Sequence, residues 1–390
     1  MKRRPSPNPA WPITIGVLYG HPLHVGGVEN HLLALFRLAD PRRFRWVLFA
    51  PVSHDFAVKA RAFGIEIVPW EQSATFDLPA AWRLLRLLQT HPVDLLHIHN
   101  PYSAILGRVV ARWAGLPVIV TVHLPSYALY RDLSIRSRFR RRVYIALEGI
   151  LNRWLTDALI FVSGQALEEA RTLGIVPPRR VQVIENGIDL CAFQNPPPAG
   201  LRRELGAAAD ALIIISVGRL TRQKGFDVLL EAFRRLDARP RPLNLWLVGD
   251  GELRRELEEQ AAALNLGDCV RFLGYRADVP ALLQCSDIFA IASRYEGMPL
   301  AILEAQAAGL PCVVSAVGEN AHQVDNGSNG LVVPPEDSAA LAASLQQLLD
   351  DPALRQRMSA AARQKAAGFS DQRLAARLEE TYSEVLKLSP

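Results

Sequence analysis

Two hydrophobic periodicities alternate along the first half of the chain. Short runs of apolar, mostly β-branched residues are separated by longer segments with helical spacing, as in Leu32, Leu35 and Phe36. The short runs predict β-strands and the longer segments predict α-helices. Strands that are apolar on both faces and alternate with helices are typical of a parallel sheet covered on both sides. The strands predicted in this half are Ile13–Leu18, Trp46–Ala50, Ile65–Trp70, Leu95–Asn100, Val118–His123, Leu159–Ser163 and Val181–Asn186.

The alternation is interrupted once and then begins again. Asn186-Gly187 is a turn signal, and residues 195–200, with the sequence NPPPAG, are typical of a linker or surface loop. Helical patterns fill the gaps between the later strands, and from Ser338 the pattern is helical nearly to the end. The strands predicted in this half are Leu212–Val217, Leu243–Val248, Val270–Leu273, Ile288–Ala292, Pro311–Ser315 and Leu331–Val333.

The repetition predicts an α/β protein of two doubly wound, Rossmann-like domains. We expect an N-terminal domain over 1–186, a hinge or linker over 187–205, a C-terminal domain over 206–370, and a helix over 371–390 that packs back toward the N-terminal domain. In open parallel sheets, ligands bind beyond the carboxyl ends of the strands. Two such domains that face each other across a cleft would place the ligand in that cleft.

Composition narrows the class of protein. The 390 residues, 49% of them hydrophobic and 21% charged, are enough for two globular cores. No apolar run reaches the roughly 18 residues that a membrane helix needs. The prolines between Pro5 and Pro12 interrupt any signal-like apolar segment, which favours an N-terminal tail. The four cysteines have neither CxxC nor metal-ligand spacing, and we expect reduced thiols in a cytoplasmic protein.

Charge is divided unevenly between the two halves. Residues 1–185 carry 23 Lys and Arg against 13 Asp and Glu, whereas the remainder carries 21 against 26. An anionic partner is therefore expected at the first half only. Nucleic acid is not indicated, because no zinc finger, RNP-like aromatic motif or basic amphipathic repeat accompanies the basic residues.

A glycine pair follows the first predicted strand. Gly26-Gly27 would let backbone amides approach a ligand closely, and the N-terminus of the next helix adds a positive dipole for phosphate. A simple tight turn would use the same glycines.

A second glycine-bracketed loop follows the strand Leu212–Val217. The loop from Gly218 to Gly225 contains Arg219 and Lys224, whose cationic groups suit a diphosphate. The P-loop pattern GxxxxGK[ST] is absent. A solvated basic loop is the alternative interpretation.

The third motif has two glutamates at the start of a predicted helix. Pro299 suits the first turn of that helix, and unpaired amides around it suit phosphate or sugar oxygens. Glu304 then lies in the second turn, where its carboxylate can bind a vicinal diol such as a ribose, whereas Glu296 lies outside the helix. Solvated surface acids are the alternative, which the apolar neighbours of Glu304 disfavour. The motif is Glu296, Gly297, Met298, Pro299, Leu300, Ala301, Ile302, Leu303 and Glu304.

These motifs, in this order, resemble the retaining glycosyltransferases of family 4 (group 1), which have the GT-B fold. The resemblance runs through most of the chain. It implies transfer of a hexosyl-type residue from a nucleotide-diphosphate sugar, UDP- or GDP-linked, with retention of configuration and without a further cofactor. The matching segments are Gly26-Gly27-Val28-Glu29, Thr121-Val122-His123, Asn186-Gly187-Ile188-Asp189, Gly218-Arg219, Lys224-Gly225, Val248-Gly249-Asp250-Gly251 and Glu296 to Glu304.

The resemblance also implies a role for each matching residue. Arg219 and Lys224 bind the donor diphosphate, and Glu304 holds the nucleotide ribose. Glu296 faces the transferred sugar together with the amides of the loop that follows it, and the N-terminal glycines approach the phosphates. His123 would lie near the donor sugar and would be catalytic with Glu296, although a lone histidine at a strand end is more often structural. The N-terminal domain would bind the acceptor and the C-terminal domain the donor.

Two further features bear on the chemistry. No Asp-x-Asp motif occurs in the chain, which favours a metal-independent transferase whose cationic side chains stabilise the leaving diphosphate. After the strand that ends at Ser315, family members often carry a glycine pair and a glutamate, whereas this chain continues from Val317 to His322 as VGENAH. That loop lies near the donor hexose in the family, so the departure concerns sugar specificity.

The segment Arg131–Trp154 combines arginines with an apolar face. A basic amphipathic helix can lie on anionic lipid. The segment therefore predicts peripheral contact with the inner face of the plasma membrane and a cell-envelope glycan, polysaccharide or lipid-linked saccharide as acceptor. A solvated helix face is the alternative. Its arginines are Arg131, Arg136, Arg138, Arg140, Arg141, Arg142 and Arg153.

Two other functions are compatible with the sequence. A sugar-nucleotide epimerase has the same architecture and diphosphate site, but needs an acid/base set beyond these motifs. A non-catalytic nucleotide-sugar-binding protein would keep the binding residues without transfer. Incubation with the donor alone distinguishes them, because an epimerase releases an altered sugar and a transferase hydrolyses the donor slowly.

Overall fold

The computed structural model describes residues 12–20, 27–38, 40–51, 55–99, 101–123, 138–177, 180–237 and 241–387. The chain forms two compact units. The first contains the residues up to Asn186 and those from Asp371 onward, and the second runs from Gly187 to Ser370. The predicted N-terminal tail, Gly26 and residues 131–137 of the basic segment lie outside the described residues.

A parallel sheet of seven strands forms the centre of the first unit. The strands are β1 (Ile13–Leu18), β2 (Phe44–Ala50), β3 (Glu66–Pro69), β4 (Leu95–Ile98), β5 (Val118–Val122), β6 (Ala158–Phe161) and β7 (Val181–Val183). Their order across the sheet is β3-β2-β1-β4-β5-β6-β7. Side chains alternate between two apolar layers, since Ile15 and Val17 belong to one core cluster and Leu18 to the other.

The second unit is built on a parallel sheet of six strands. These are β8 (Leu212–Val217), β9 (Leu243–Val248), β10 (Val270–Gly274), β11 (Ile288–Ile291), β12 (Cys312–Ser315) and β13 (Gly330–Val333). Their order is β10-β9-β8-β11-β12-β13. Both faces are again apolar, because Ile213 and Ile215 pack in one cluster and Ile214 in the other. This two-sided burial explains why the strands are continuous apolar runs in the sequence.

Helices cover both faces of each sheet. In the first unit they are α1 (Gly27–Leu38), α2 (Asp55–Ala62), α3 (Leu78–Thr90), α4 (Pro101–Ala114), α5 (Arg138–Leu155) and α6 (Gly164–Thr172). In the second unit they are α7 (Leu201–Glu204), α8 (Phe226–Phe233), α9 (Arg254–Ala263), α10 (Val279–Gln284), α11 (Leu300–Ala308), α12 (Asn320–Gln323), α13 (Ser338–Asp350) and α14 (Pro352–Ala366). Two short 3-10 helices, Leu190–Phe193 and Arg222–Lys224, also belong to the second unit.

The final helix, α15 (Asp371–Leu386), belongs to the first unit. It packs against α1, and its Leu378 and Tyr382 are buried in the core cluster that contains Phe44 and Trp46 of β2. Arg37 of α1 forms an ion pair with the buried Asp371 at the start of α15. The segment 187–205 is packed rather than extended, since Leu201 lies in the core of the second unit.

Six predicted strands end one to three residues earlier in the structure than the sequence pattern predicts. Among them, the strands predicted to reach Asn100, His123 and Asn186 end at Ile98, Val122 and Val183. Asn100 lies outside the described residues. His99 and His123 lie just past the ends of these strands, and their rings are hydrogen-bonded to each other. The other predicted strands are present, with ends that coincide with the prediction or differ from it by at most two residues.

Candidate active site

The strand order of the second sheet reverses between β8 and β11. β8 lies between β9 and β11, so the connections that leave β8 and β11 turn to opposite faces of the sheet. A crevice opens at the carboxyl ends of two such strands and is the usual ligand site of this architecture. The motif that begins at Gly218 follows β8, and the motif that ends at Glu304 follows β11. The topology therefore brings together two motifs that are distant in the sequence.

A glycine allows the loop after β8 to pack against the end of β11. The 3-10 helix Arg222–Lys224 ends at Gly225, whose φ of 64° lies in the left-handed region. A Cβ on Gly225 would lie 2.0 Å from the carbonyl oxygen of Ala292. Because other residues disfavour this φ and could not fit here, glycine is required for Lys224 to reach the motif after β11.

Lys224 and Glu296 form an ion pair at this edge of the sheet. Lys224 Nζ lies 2.6 Å from Glu296 Oε1, and only 15% and 5% of the two side chains are exposed. Ser293 Oγ donates to the same carboxylate oxygen at 2.6 Å, and Gln223 Nε2 donates to Oε2 at 3.4 Å. The carboxylate is therefore fixed in one orientation, and its charge is compensated by a charge-assisted hydrogen bond.

Ser293 and Gln223 were not predicted from the sequence. Ser293 comes directly after the β11 run and three residues before Glu296, which is the signal that could have identified it. Its carbonyl accepts a hydrogen bond from Ser315 Oγ at 2.6 Å, so β12 also supports the position of Glu296.

The N-terminus of α11 begins four residues after Glu296 in the chain and has unpaired backbone amides. Pro299 is the N-cap, with an extended ψ of 123°, and the helix begins at Leu300. The prediction that Pro299 lies within the first turn is wrong, because the N-cap residue keeps non-helical dihedrals. No side chain caps this end, and the amides of Leu300 and Ala301 have no hydrogen-bond partner among the described residues. Such amides favour an anion.

Glu304 lies in the second turn of α11, as predicted. Its side chain retains some exposure but is densely surrounded by protein, and this burial raises the pKa of its carboxyl to about 7. No hydrogen bond or ion pair to it occurs among the residues that the structure describes. An acid kept in such a place without a partner is a candidate ligand-binding group.

Arg219 stands apart from these paired groups. It is exposed, and its guanidinium has no ion-pair partner in the described part of the chain. It follows Gly218 directly after β8, at the carboxyl edge where Lys224 also lies. Its five N–H donors are therefore available to an anionic ligand.

The loop after β12 packs on the Glu296 motif. Gly318 has a φ of 51°, and a Cβ there would lie 2.3 Å from the carbonyl oxygen of Glu296. The amide of Glu319 donates to the carbonyl of Gly297 at 3.0 Å. Met298, the residue after Gly297, is buried. The segment that departs from the family pattern therefore touches the site directly.

In the first unit, Gly27 and His123 have different surroundings. Gly27 begins α1, and nothing lies within 4 Å of a Cβ built on it, so packing in the described structure does not require glycine there.

His123 belongs to a histidine cluster, since its Nε2 lies 3.1 Å from His99 Nδ1 and its ring centroid 4.8 Å from that of His31. His31 Nδ1 lies 3.0 Å from Asn186 Oδ1.

Burial keeps this cluster neutral. Desolvation lowers the pKa of His31 to about 4 and holds the pKa values of His99 and His123 well below their usual range. Potential ligand nitrogens of these three histidines lie within 4.8 Å of one another, the one group of this kind among the described residues. The spacing of histidines along the chain predicts no metal ligands and does not indicate this cluster.

The described part of the basic segment forms α5. Val143, Ile150 and Trp154 are exposed, and Trp154 has 68% of its surface accessible. Arg142 and Arg153 are exposed beside them. The opposite side is anchored by a buried ion pair between Glu148 and Arg108, whose nitrogen lies 2.7 Å from the carboxylate. α5 is therefore attached to the first unit and exposes apolar and cationic groups.

None of the helices in the described structure is long and apolar enough to cross a membrane. All four cysteines are free; Cys285 and Cys312 are buried, and Cys191 and Cys269 are exposed.

Comparisons with known proteins agree with this architecture. The family model described as Glycosyltransferase Family 4 matches residues 25–191, and that described as Glycosyl transferases group 1 matches residues 200–365. The UDP-Gal:alpha-D-GlcNAc-diphosphoundecaprenol alpha-1,3-galactosyltransferase of Escherichia coli is 32% identical over 340 residues, which cover 85% of this chain and 86% of that protein. A D-inositol 3-phosphate glycosyltransferase of Thermobispora bispora is 31% identical over 342 residues, 82% of this chain and 79% of the relative.

Solved structures match over almost the whole chain. Anabaena HepE in complex with UDP-glucose superposes with a TM-score of 0.83 at 23% identity, covering 95% of this chain and all of that one. The fold is therefore GT-B, as predicted. On its sequence and its fold, the chain belongs to the group 1 glycosyltransferases, family 4.

Proposed function

We propose that this glycosyltransferase moves a hexosyl-type residue from a UDP- or GDP-linked donor to a cell-envelope glycan, polysaccharide or lipid-linked saccharide, with retention of configuration and without a metal ion. The observation that carries the proposal is the grouping at the carboxyl edge of the second sheet. There Lys224 is held against Glu296, and α11 begins with unpaired amides one turn before Glu304. The galactosyltransferase relative uses UDP-Gal, which supports a uridine donor.

Each group in this site suits one part of the donor. The ammonium of Lys224, the guanidinium of Arg219 and the amides of Leu300 and Ala301 favour the diphosphate. The partnerless carboxyl of Glu304 suits the two hydroxyls of a ribose, which can both donate to it.

Charge development explains why these groups would catalyse transfer. As the bond between the sugar and the phosphate breaks, negative charge grows on the departing diphosphate and positive charge on the sugar ring. Cations and amides that are already in place stabilise the first charge, at typically a few kcal/mol for each donor. Glu296 is held by Ser293 and Lys224 and precedes the amides of α11 in the chain. Its carboxylate stabilises the positive charge on the sugar ring.

Retention follows if the acceptor attacks from the face that the leaving group departs from. In that mechanism the departing phosphate takes the proton of the acceptor hydroxyl, so that no covalent sugar–enzyme bond forms. We propose that Glu296 stabilises the sugar electrostatically, since its carboxylate is already occupied by an ammonium and a hydroxyl. A trapped glycosyl-enzyme adduct would contradict this mechanism.

The acceptor is proposed to be presented at the inner face of the plasma membrane. The Escherichia coli relative acts on a diphosphoundecaprenol-linked sugar, which is a membrane lipid. In this chain, α5 exposes Ile150 and Trp154 next to Arg142 and Arg153, a combination that favours an anionic bilayer surface.

Vesicle sedimentation tests the membrane proposal. We expect the protein to bind phosphatidylglycerol-containing vesicles at low salt, and Trp154→Ala with Arg153→Gln to weaken this binding. Trp82→Ala, which alters a similarly exposed tryptophan on α3, is the matched control. Equal binding by both variants, or no binding by the unaltered protein, would remove α5 as a membrane contact.

Donor binding tests the nucleotide site. We expect calorimetry to show UDP or GDP binding, and Lys224→Met to weaken it at least about tenfold, as for loss of one charge-assisted contact. Lys365→Met, which alters another ion-paired lysine of the second unit, should bind like the unaltered protein.

With a nucleotide hexose and a lipid-linked acceptor, NMR of the product should show the donor's anomeric configuration, also in the presence of EDTA. An inverted product, or an activity that EDTA abolishes, would contradict the finer parts of the proposal.

A further inference from the structure

A chain of buried polar contacts leads from the final helix to His123. The hydroxyl of the fully buried Tyr382 lies 2.8 Å from Nδ1 of His97, and Nε2 of His97 lies 2.7 Å from Oγ1 of Thr121. The ring of His97 lies against that of His99, with a centroid separation of 3.9 Å. His99 Nδ1 in turn lies 3.1 Å from His123 Nε2. His123 is thus supported from behind by residues of α15, β4 and β5.

The position of the proton on His99 follows from its surroundings. Its Nε2 is buried and has no hydrogen-bond partner in the described structure. A neutral imidazole has one N–H and one lone pair, and burial with neighbouring histidines keeps its pKa well below the usual range. Buried N–H groups without a partner are rarer than buried acceptors without one. His99 therefore carries its proton on Nδ1 and donates it to Nε2 of His123.

That hydrogen bond determines what His123 can do. Because its Nε2 accepts a hydrogen bond, the proton of the neutral His123 ring is on Nδ1. The side chain of His123 is partly exposed, whereas His97 and His99 are buried. The group that His123 offers to a substrate is therefore an N–H donor. The lone pair that a general base would need is on Nε2, where it already accepts the hydrogen bond from His99.

His97 is the fixed support of this arrangement. Both of its nitrogens have partners, Tyr382 and Thr121, so rotation of its ring would break two buried hydrogen bonds. Tyr382 is itself held by aromatic contacts with Phe44 and Trp46, whose ring centroids lie 5.8 Å away. The ring of His99 is consequently packed against a side chain that has one orientation.

We propose that His99 and Tyr382 are positioning residues that fix His123 as the Nδ1–H tautomer, a hydrogen-bond donor to a substrate oxygen and not a general base. The identity of that substrate as a sugar rests on the proposed function. The tautomer does not, because it follows from contacts within the first unit.

Long-range proton–nitrogen NMR of protein labelled with ¹⁵N-histidine measures the tautomers directly, without substrate. Near neutral pH we expect His99 and His123 each to show a protonated Nδ1 and an unprotonated Nε2, with assignments from His99→Asn and His123→Asn. A His123 protonated on Nε2, or an imidazolium, would overturn the proposal. So would an equivalent of zinc in the purified protein, since His31, His99 and His123 have nitrogens within 4.8 Å and a metal would replace the hydrogen bond.

Steady-state kinetics tests the positioning role. His99→Leu removes the donor to His123 and should lower kcat about tenfold to a hundredfold, less than the hundredfold to thousandfold typical for loss of a donor that contacts the substrate itself, with little change in KM for the nucleotide sugar. His99→Asn keeps an N–H near the position of Nδ1 and should recover most of kcat. Tyr382→Phe should lower kcat by a smaller factor and shift the His97 resonances.

His91→Asn and Tyr275→Phe, which lie outside the chain of contacts, should leave kcat unchanged. Unaltered kcat in folded His99→Leu, or equal losses for the leucine and asparagine variants, would refute the positioning role. If no donor supports transfer at all, the proposed function fails, and the NMR measurement still decides the tautomer.

Discussion

Glu304→Gln is expected to stabilise the folded protein above neutral pH and, at the same time, to weaken nucleotide binding. The carboxyl of Glu304 has no partner among the described residues, and burial raises its pKa from 4.5 to about 7. Glutamine has nearly the same shape and cannot ionise. The substitution therefore removes the free energy required to keep a carboxylate in this position.

The size of the effect follows from the pKa change. A pKa rise from 4.5 to about 7 corresponds to about 3 kcal/mol, at 1.36 kcal/mol per pKa unit. A raised pKa means that the folded state holds the proton more tightly than the unfolded chain. The stabilising contribution is therefore complete below pH 4.5, falls as the pH rises, and is lost once the pH passes about 7. The Glu304→Gln variant cannot ionise at this position, so its stability does not fall in this way as the pH rises.

Urea unfolding at pH 5 and pH 8 measures the difference. We expect Glu304→Gln to exceed the unaltered protein in free energy of unfolding at pH 8 by up to about 3 kcal/mol, and by much less at pH 5. Glu256→Gln, at an exposed position on α9, should show neither effect. By calorimetry at pH 8, Glu304→Gln should bind UDP at least about tenfold more weakly.

Two outcomes would refute this reasoning. A Glu304→Gln variant that is less stable at pH 8 would mean that the carboxylate makes a structural contact. A folded variant with unaltered affinity for UDP and GDP would mean that Glu304 does not hold the nucleotide.

Three further substitutions test other parts of the site. Lys224→Met should destabilise the protein by about 3 kcal/mol because it leaves the carboxylate of Glu296 buried without a counter-ion, and adding Glu296→Gln should recover part of this loss; additive effects in a double-mutant cycle would contradict a direct ion pair. Gly225→Ala should lower the free energy of unfolding by about 1–3 kcal/mol or more and abolish UDP binding, because of its left-handed φ and the contact with Ala292; wild-type values in urea unfolding would argue against the loop geometry. Arg219→Met should leave stability unchanged and weaken UDP binding about tenfold, since this side chain is exposed; unchanged calorimetric affinity would remove Arg219 from the diphosphate site.

The fold could be predicted well because the sheets are buried on both faces. Runs such as Leu212–Val217 are apolar throughout, so their positions follow from the sequence without tertiary information. The family and the GT-B fold, inferred from the order of the motifs, are confirmed by the comparisons. The roles assigned to individual residues remain predictions.

Contacts between distant segments could not be predicted in the same way. The histidine cluster combines residues from α1, from the end of β4 and from the end of β5, and only the strand order β1-β4-β5 makes them neighbours. The partnership of Lys224 with Glu296 similarly depends on β8 lying beside β11. Pro299 shows the limit of local rules, because it occupies the N-cap rather than the first turn.

A crystal structure of the protein with bound UDP tests the central claim most directly. We predict diphosphate oxygens within hydrogen-bond distance of Lys224 and of the amides of Leu300 and Ala301, and ribose hydroxyls at the carboxyl of Glu304. A nucleotide bound away from the carboxyl ends of β8 and β11, with Lys224 still paired only to Glu296, would contradict the account.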